Sequence, residues 1–397
     1  MSVYTQLTDE QFSAFCQRFG VSFARAIPIT QGIKNSNWFI QTADDVDGAH
    51  SYVFTLFEER PPADIEKMAV ILNQLDGKLP VAAPLALTDF DESAASDTAS
   101  CDKSYVIHYE GKAITLVPCL AGSHPQETTQ AMCQDIGAAL ATLHETLQAL
   151  QPSEEYGVPL YPWDEVRDRE MKFMPGDEAK LMNDIWCSYS DLPLSALPQG
   201  LCHLDMFADN TLWNLSLNHS QKGEDRLTGL LDFTEVSVEH YVMDIAITIN
   251  DFCTTWGDAD QGELVNFDRR KMAAFLQGYE SKRSLSRDEK RALPVMLAKA
   301  AVIFWLLRLN VIHYNRTEGR TGDNIMVKNP DLMKRLAAYH WAHVEKVQST
   351  VFVLLDMQKD NQIVGVFSDI MQAEQARDSV GNDSDLIIQK HTLDQLS

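Results

Sequence analysis

The chain has 397 residues, 45% hydrophobic and 23% charged. This is the balance of a water-folding protein with room for more than one core, and it excludes a disordered, collagen-like or membrane-embedded chain. The net charge of −24, from 33 basic and 57 acidic residues, repels phosphate backbones and anionic lipids, so neither nucleic acid nor a membrane surface is an expected partner.

In chain order, the first pattern is an amphipathic helix over about 8–19, with Thr8 and Gln11 spaced as a capping box and Gly20 as its stop. The period then changes. Segments 22–30, 37–42 and 51–57 are rich in Val, Ile, Phe and Thr between polar turns, which predicts an antiparallel meander. A helix over about 64–75 follows, then strands near 83–88, 104–109 and 113–118, with 91–102 a solvated loop. From Pro118 the sequence turns to long helical periods: 126–149, 177–188, 242–253, 267–281, 286–313 and 330–347. The chain thus reads as α+β, with a mostly β half over 1–118 and a mostly helical half over 119–348. The joint Pro118-Cys-Leu-Ala-Gly122 is a natural place for a ligand cleft.

The apolar run Ala300–Leu307 falls far short of the ~18 residues of a membrane span and reads as a buried helix. The tail, 349–397, reads as a small ββαβ unit: strands 351–356 and 362–367, a helix over 369–378 capped by Ser368, and a strand over 385–390. Its alternating Val351, Val353, Leu355 and Ile363, Val364, Val366 need a surface, and a three-stranded unit has too little core to stand alone. Docking on the helical half, or on a second copy to give a homo-oligomer, is therefore expected. The seven cysteines (Cys16, Cys101, Cys119, Cys133, Cys187, Cys202, Cys253) include no CxxC pair, which predicts free thiols in a reducing compartment. Asp9 and Glu10 stand where a signal peptide needs basic and then apolar residues, so the reading is cytoplasmic.

The most informative segment is Leu201-Cys-His-Leu-Asp-Met-Phe-Ala-Asp-Asn210, with His203, Asp205 and Asn210 spaced His-x-Asp-x4-Asn. This spacing lets a carboxylate face a substrate hydroxyl while an amide carbonyl a turn later faces a cation, and it resembles the catalytic loop of protein kinases. Next comes Gly229-Leu-Leu-Asp232-Phe233, an apolar strand ending in a carboxylate, a hard oxygen ligand suited to magnesium. In Tyr241-Val-Met-Asp244, Asp244 reads either as a carboxylate at a helix N-terminus or as a buried acceptor that fixes the catalytic-loop backbone.

These motifs, with Ile136-Gly-Ala-Ala-Leu-Ala-Thr-Leu-His144, resemble the aminoglycoside-phosphotransferase and choline-kinase superfamily, which has a protein-kinase-like bilobal fold. Within it, Gly32-Ile-Lys-Asn-Ser-Asn-Trp-Phe39, Tyr52-Val-Phe-Thr-Leu-Phe-Glu58, Ile249-Asn-Asp-Phe-Cys253 and Phe304-Trp-Leu-Leu-Arg-Leu309 look like the homoserine kinases, over roughly residues 1–345. The resemblance implies ATP and Mg2+ as cofactors and homoserine, a step of threonine biosynthesis, as the small-molecule substrate. It makes Asp205 the catalytic base or hydroxyl-orienting group, Asn210 and Asp232 the magnesium ligands, and His203 and Asp244 supports of the loop.

Gly32 to Asn37 would be the nucleotide loop, with Asn35, Ser36 and Asn37 offering short polar side chains and N–H groups to phosphate. Thr55 stands where most kinases carry a phosphate-binding Lys, a departure that the homoserine kinases share. No Lys–Glu pair is therefore assigned, Glu66 on the next helix has no role, and Lys34 either supplies charge or is an exposed turn lysine.

A zwitterionic acceptor needs a cation for its carboxylate and an anion for its ammonium. Arg308, on an apolar helical stretch, and Asp251, beside Asn250, are the candidates, with a structural ion pair as the other reading. Trp163, Trp186, Trp256 and Trp305 either floor a cationic-ligand pocket, as for choline, or pack the core. His108, His144 and His313 follow no metal-ligand spacing and read as structural. The rivals to homoserine are choline or ethanolamine, an aminoglycoside or hydroxylysine as acceptor, and a non-catalytic nucleotide-binding scaffold.

Overall fold

The computed structural model describes residues 5–29, 35–42, 51–88, 104–215, 225–257, 265–317, 328–348, 350–356, 362–367, 370–379 and 386–392. Gly32, Lys34, Cys101, the expected loop at 91–102 and the expected cap Ser368 lie outside the described residues.

Helix α1 (Asp9–Arg18) starts on the expected capping box: the Gln11 N–H donates to the Thr8 hydroxyl at 3.3 Å, and the Gln11 side chain accepts the Thr8 N–H at 2.9 Å. Gly20, at φ +71°, ends it. Strands β1 (Arg25–Ile29), β2 (Asn35–Gln41) and β3 (Tyr52–Phe57) form the antiparallel meander. Helix α2 (Pro62–Leu75) leads to β4 (Ile107–Tyr109) and β5 (Lys112–Pro118), which complete a sheet of order β1-β2-β3-β5-β4. The expected strand at 83–88 does not form. Pro84 removes a ladder donor near its start, and isolated bonds remain, Leu85 N–H to Leu116 O at 2.9 Å, Leu87 N–H to Ser104 O at 2.8 Å and Thr88 N–H to Arg18 O at 2.7 Å. Alternation along the strands buries Trp38, Ile40, Phe54 and Leu56 with Phe12 and Cys16 of α1. It turns Asn37 and Thr55 to the other face of the sheet.

After Pro118 come α3 (Gln130–Leu147), α4 (Trp163–Glu170), α5 (Gly176–Ser190), β6 (Gln199–Cys202), β7 (Thr211–Asn214), β8 (Arg226–Leu230), β9 (Ser237–His240), α6 (Tyr241–Phe252), β10 (Thr254–Thr255), β11 (Asn266–Phe267), α7 (Arg269–Glu280), α8 (Arg287–Thr317) and α9 (Pro330–Gln348). The strands pair two by two, β6 with β9, β7 with β8 and β10 with β11. Helix α4 was not anticipated, because Trp163 and Val166 are its only apolar residues and set no period. Helix α8 is long and apolar enough to cross a membrane, yet most of it is buried inside the fold, against α4, α5, α6 and α9. Helices α3 and α7 cross at backbone contact: a Cβ on Gly137 would lie 2.2 Å from the Phe275 carbonyl oxygen, and one on Gly278 1.9 Å from that of Gln134. That approach brings Tyr279 against His144.

The tail forms β12 (Thr350–Asp356), β13 (Gln362–Phe367), α10 (Ile370–Ser379) and β14 (Leu386–Thr392), in the order β13-β12-β14. Both outer strands run antiparallel to β12, so α10 links two parallel strands across it. Ala373 of α10 is buried, whereas Ile363 and Val366 are 60% and 55% exposed. Deleting 349–397 is expected to leave measurable activity, since none of the candidate phosphotransfer groups lies there, while shifting the melting temperature or the elution position in size-exclusion chromatography. Loss of activity in a still-folded truncation would count against this.

Candidate active site

The segment between β6 and β7 is a loop whose shape is held from behind. Leu204 is left-handed, at φ +62°, a conformation that costs an L-residue roughly 1–2 kcal/mol. Two backbone hydrogen bonds offset it: His203 N–H and Leu204 N–H donate to the two oxygens of Asp244, each at 2.8 Å. Asp244, in the first turn of α6, is fully buried and also accepts from His144 Nε2 at 2.9 Å. Burial works against its charge, but the hydrogen bond and charge of His144, the nearby His203 and the Leu204 N–H outweigh it and hold the carboxyl below its ordinary range. His144 Nδ1 in turn faces the Tyr279 hydroxyl at 2.8 Å. His144, Cys202 and Asp244 lie close enough to hold a metal, but these protein donors already occupy the Asp244 oxygens. Both readings of Asp244 therefore apply.

His203 joins the two motif segments. Its Nε2 donates to Leu231 O at 3.1 Å, and its Nδ1 accepts the Asp205 N–H at 3.3 Å, so the buried ring is neutral in this pairing. Burial pushes its pKa down, in agreement. The 3-10 turn at 208–210 follows, with Ala208 N–H held by Asp251 at 2.7 Å. Asn210 donates its side-chain NH2 to the Asp205 backbone oxygen at 2.7 Å and to Asp205 Oδ2 at 3.0 Å, which leaves the Asn210 Oδ1 to face a cation.

The β7–β8 hairpin sets Thr211 opposite Leu230, so Asn210 meets Leu231, whose N–H donates to Asn210 O at 2.9 Å. The next residue, Asp232, is exposed and also left-handed, at φ +55°. Strain at Leu204, in the loop after β6, and at Asp232, just after β8, is the pattern of a functional site. The Asn210 side-chain carbonyl and the Asp232 carboxylate are two hard oxygen donors of the kind that suit a divalent cation.

Beside this loop lies a cavity of about 150 Å³, lined by Asp205, Glu235 and Glu239 among apolar walls that include Trp163, Ile303 and Phe304. The spacings of the sequence-derived motifs pointed to neither glutamate. The available signal was the alternation Ser237, Glu239 along β9, which sends both side chains to one face.

A family model described as "Phosphotransferase enzyme family" matches residues 25–285. The chain belongs to this phosphotransferase family. Homoserine kinase of Neisseria meningitidis serogroup B (strain ATCC BAA-335 / MC58) is 30% identical over 342 residues, 85% of this chain and 98% of the relative. Homoserine kinase of Ralstonia pickettii (strain 12J) is 30% identical over 315 residues, 78% and 87% of the two chains. Among solved structures, the amicoumacin kinase hAmiN aligns with a TM-score of 0.56 at 15% identity, over 85% of this chain and 94% of that one. A microcompartment-associated aminopropanol kinase aligns at 0.54 and 17%, over 84% and 96%. The structural matches show the protein-kinase-like fold, and the phosphotransferase is an ATP-dependent enzyme acting on a hydroxyl. The non-catalytic scaffold reading falls.

Within this phosphotransferase, the remaining expected site residues separate. Asn35, Ser36 and Asn37 open β2 rather than forming a loop, and their backbone is committed to the sheet. Ser36 shares the α1 side of the sheet with Trp38 and Ile40: it is fully buried and its hydroxyl donates to Glu58. Lys112 also binds Glu58, so this Lys–Glu pair is structural. Burial opposes the Glu58 charge, yet hydrogen bonds from Lys112, Ser36 and Thr5 hold its carboxyl low. Thr55 and Asn37 lie on the face of the sheet opposite α1, joined by a 2.9 Å bond from the Thr55 hydroxyl to Asn37 Oδ1. Glu66 meets the exposed His108 at 2.7 Å.

Asp251 and Arg308 do not line the cavity. Asp251 holds the turn at Ala208, and burial raises its pKa. Arg308 donates to Asn329 O at 2.8 Å, and burial, opposed by the charge of Asp251, lowers its pKa to about 10. Asn250 ties α6 to α8 and α9, donating to Leu297 O and facing His340, both at 2.9 Å. Of the four tryptophans, Trp163 lines the cavity. Trp305 is core, and Trp186 lies under Lys299 and Arg167.

Proposed function

We propose that the chain is a homoserine kinase, which transfers the γ-phosphoryl group of ATP to the side-chain hydroxyl of L-homoserine in the cytoplasm, as a step of threonine biosynthesis. The observation that carries this reading is the 30% identity to a homoserine kinase over 98% of that relative's length. Asp205 orients the acceptor hydroxyl and takes its proton as the new O–P bond forms and ADP leaves. His203 and Asp244 act behind it as positioning residues. Asn210 and Asp232 would hold Mg2+, and Thr55 and Asn37 would face the nucleotide. The bound ion would supply positive charge against the phosphate oxygens, in a reaction that rests mostly on positioning and charge neutralisation.

Cavity size supports a small acceptor. A space of about 150 Å³ takes a molecule of benzene size, on the order of six non-hydrogen atoms, and an aminoglycoside is several times larger. A second reading, a simple amino alcohol as acceptor, is favoured by one specific observation: among the described residues, no Lys or Arg lines the cavity to meet a carboxylate.

The test is ADP release by purified protein with ATP, magnesium and a panel of homoserine, 1-amino-2-propanol, ethanolamine, choline and kanamycin. Homoserine is expected to give the largest kcat/KM. A larger value for 1-amino-2-propanol or ethanolamine would transfer the assignment to the second reading, and a larger value for kanamycin would reject both.

A further inference from the structure

The cavity beside Asp205 contains three carboxylates, and they are not equivalent. Asp205 is bound by Asn210 at 3.0 Å, and Glu235 by Arg60, which reaches over from the segment after β3, at 2.6 Å. The Ser237 hydroxyl is spent on Val158 O. Glu239 is held on one side only. Its Oε1 accepts the His240 backbone N–H at 2.7 Å and faces His240 Nδ1 at 2.6 Å, while its other oxygen has no hydrogen-bond partner among the described residues. The Glu239 side chain is 17% exposed and lines the cavity.

His240, whose pKa is raised by its hydrogen bond to Glu239, meets only Oε1. Lys299, a turn before Ile303 on α8, lies on the faces of Trp186 and Tyr189, 2.6 Å and 4.6 Å from the ring centroids. Burial, against the pull of Asp164 and Glu239, brings its pKa down to about 6. What the site lacks is a compact cation with N–H donors, carried on a short apolar stem that fits between Trp163, Ile303 and Phe304.

We propose that Glu239 binds the ammonium group of the acceptor, making the cavity selective for primary-amine alcohols over alcohols of the same size without the amine. The proposal rests on the phosphotransfer reading of the site and adds the feature by which the acceptor is chosen. The free Glu239 oxygen takes the ammonium while Asp205 takes the hydroxyl, so one short molecule spans the two carboxylates.

Two measurements test it. The first is ligand-detected saturation-transfer NMR on the wild type and on Glu239→Gln, with 3-amino-1-propanol and 1,3-propanediol as probes. The amine is expected to bind the wild type, the diol much less, and Glu239→Gln is expected to lose the amine signal. Equal signals from amine and diol, no amine signal from the wild type, or an amine signal that survives in Glu239→Gln would each overturn the proposal. The wild-type comparison decides even if the variant fails to fold.

The second is steady-state kinetics. For an amine-bearing acceptor, Glu239→Gln is expected to raise KM roughly 10- to 100-fold while kcat and the KM for ATP stay within about threefold. A fall in kcat with an unchanged acceptor KM would contradict the assignment. Absence of ADP release with every acceptor would instead reject the phosphotransfer reading, whatever the NMR result.

Discussion

Asp205→Ala is expected to lower kcat by roughly 10²–10⁴-fold, the usual contribution of a positioned acid–base group, while leaving ATP affinity close to wild type. The separation follows from where the side chain stands. Asp205 lines the cavity assigned to the acceptor and is oriented by Asn210, at 2.7 Å and 3.0 Å, and by His203 behind it. Asp232, on the strand side of the loop, should behave differently: Asp232→Ala is expected to raise the KM for Mg·ATP as its main effect. Single-turnover kinetics and equilibrium nucleotide binding on both variants distinguish the two losses. Wild-type turnover in both would mean that the loop is not the catalytic centre.

The largest effect on stability is expected at Asp244. This carboxylate is fully buried and accepts three hydrogen bonds, from His203 N–H, Leu204 N–H and His144, so Asp244→Ala leaves two buried backbone donors and one imidazole unmatched. Breaking a buried charged network in this way costs about 3–5 kcal/mol, a large share of the roughly 5–15 kcal/mol that hold a domain folded. Urea unfolding should show a much lower midpoint at unchanged slope, and an unchanged midpoint would refute the role. Acid should mimic the substitution. Because the native carboxyl titrates below its ordinary value of 3.8, its contribution is complete above that value and is lost as pH falls through the native pKa.

Much of this site was legible in the chain because its groups sit at short, fixed offsets. His203, Asp205 and Asn210 share one loop, and the apolar strand ending at Asp232 announces a second carboxylate that hairpin pairing must bring alongside. The meander and the long helices were legible through their periods of two and 3.6 residues. What escaped depends on contacts between distant segments. Nothing local to Ser36 tells that its side chain faces α1 and Glu58 rather than nucleotide, since a slip of one residue in the strand reverses every face. Arg308 and Asp251 were legible as charges needing a reason, but their partners, the Asn329 carbonyl and the Ala208 N–H, lie far off in the chain. Glu239 carried no motif, and its standing comes only from the helices that close the cavity around it.

The suspension of the catalytic loop from Asp244 also bears on when, during synthesis, the chain can first act. The bonds that fix the loop span 41 residues to His203, 100 from His144 to Asp244, and 135 from His144 to Tyr279. A nascent chain that has released only its first half can assemble the N-terminal sheet, because domains form as they emerge. It cannot hold Leu204 in its left-handed turn until α6 is out, nor complete the bracing of His144 until α7 has followed. A fragment ending before Tyr279 carries every residue of the loop motif without the support that shapes it.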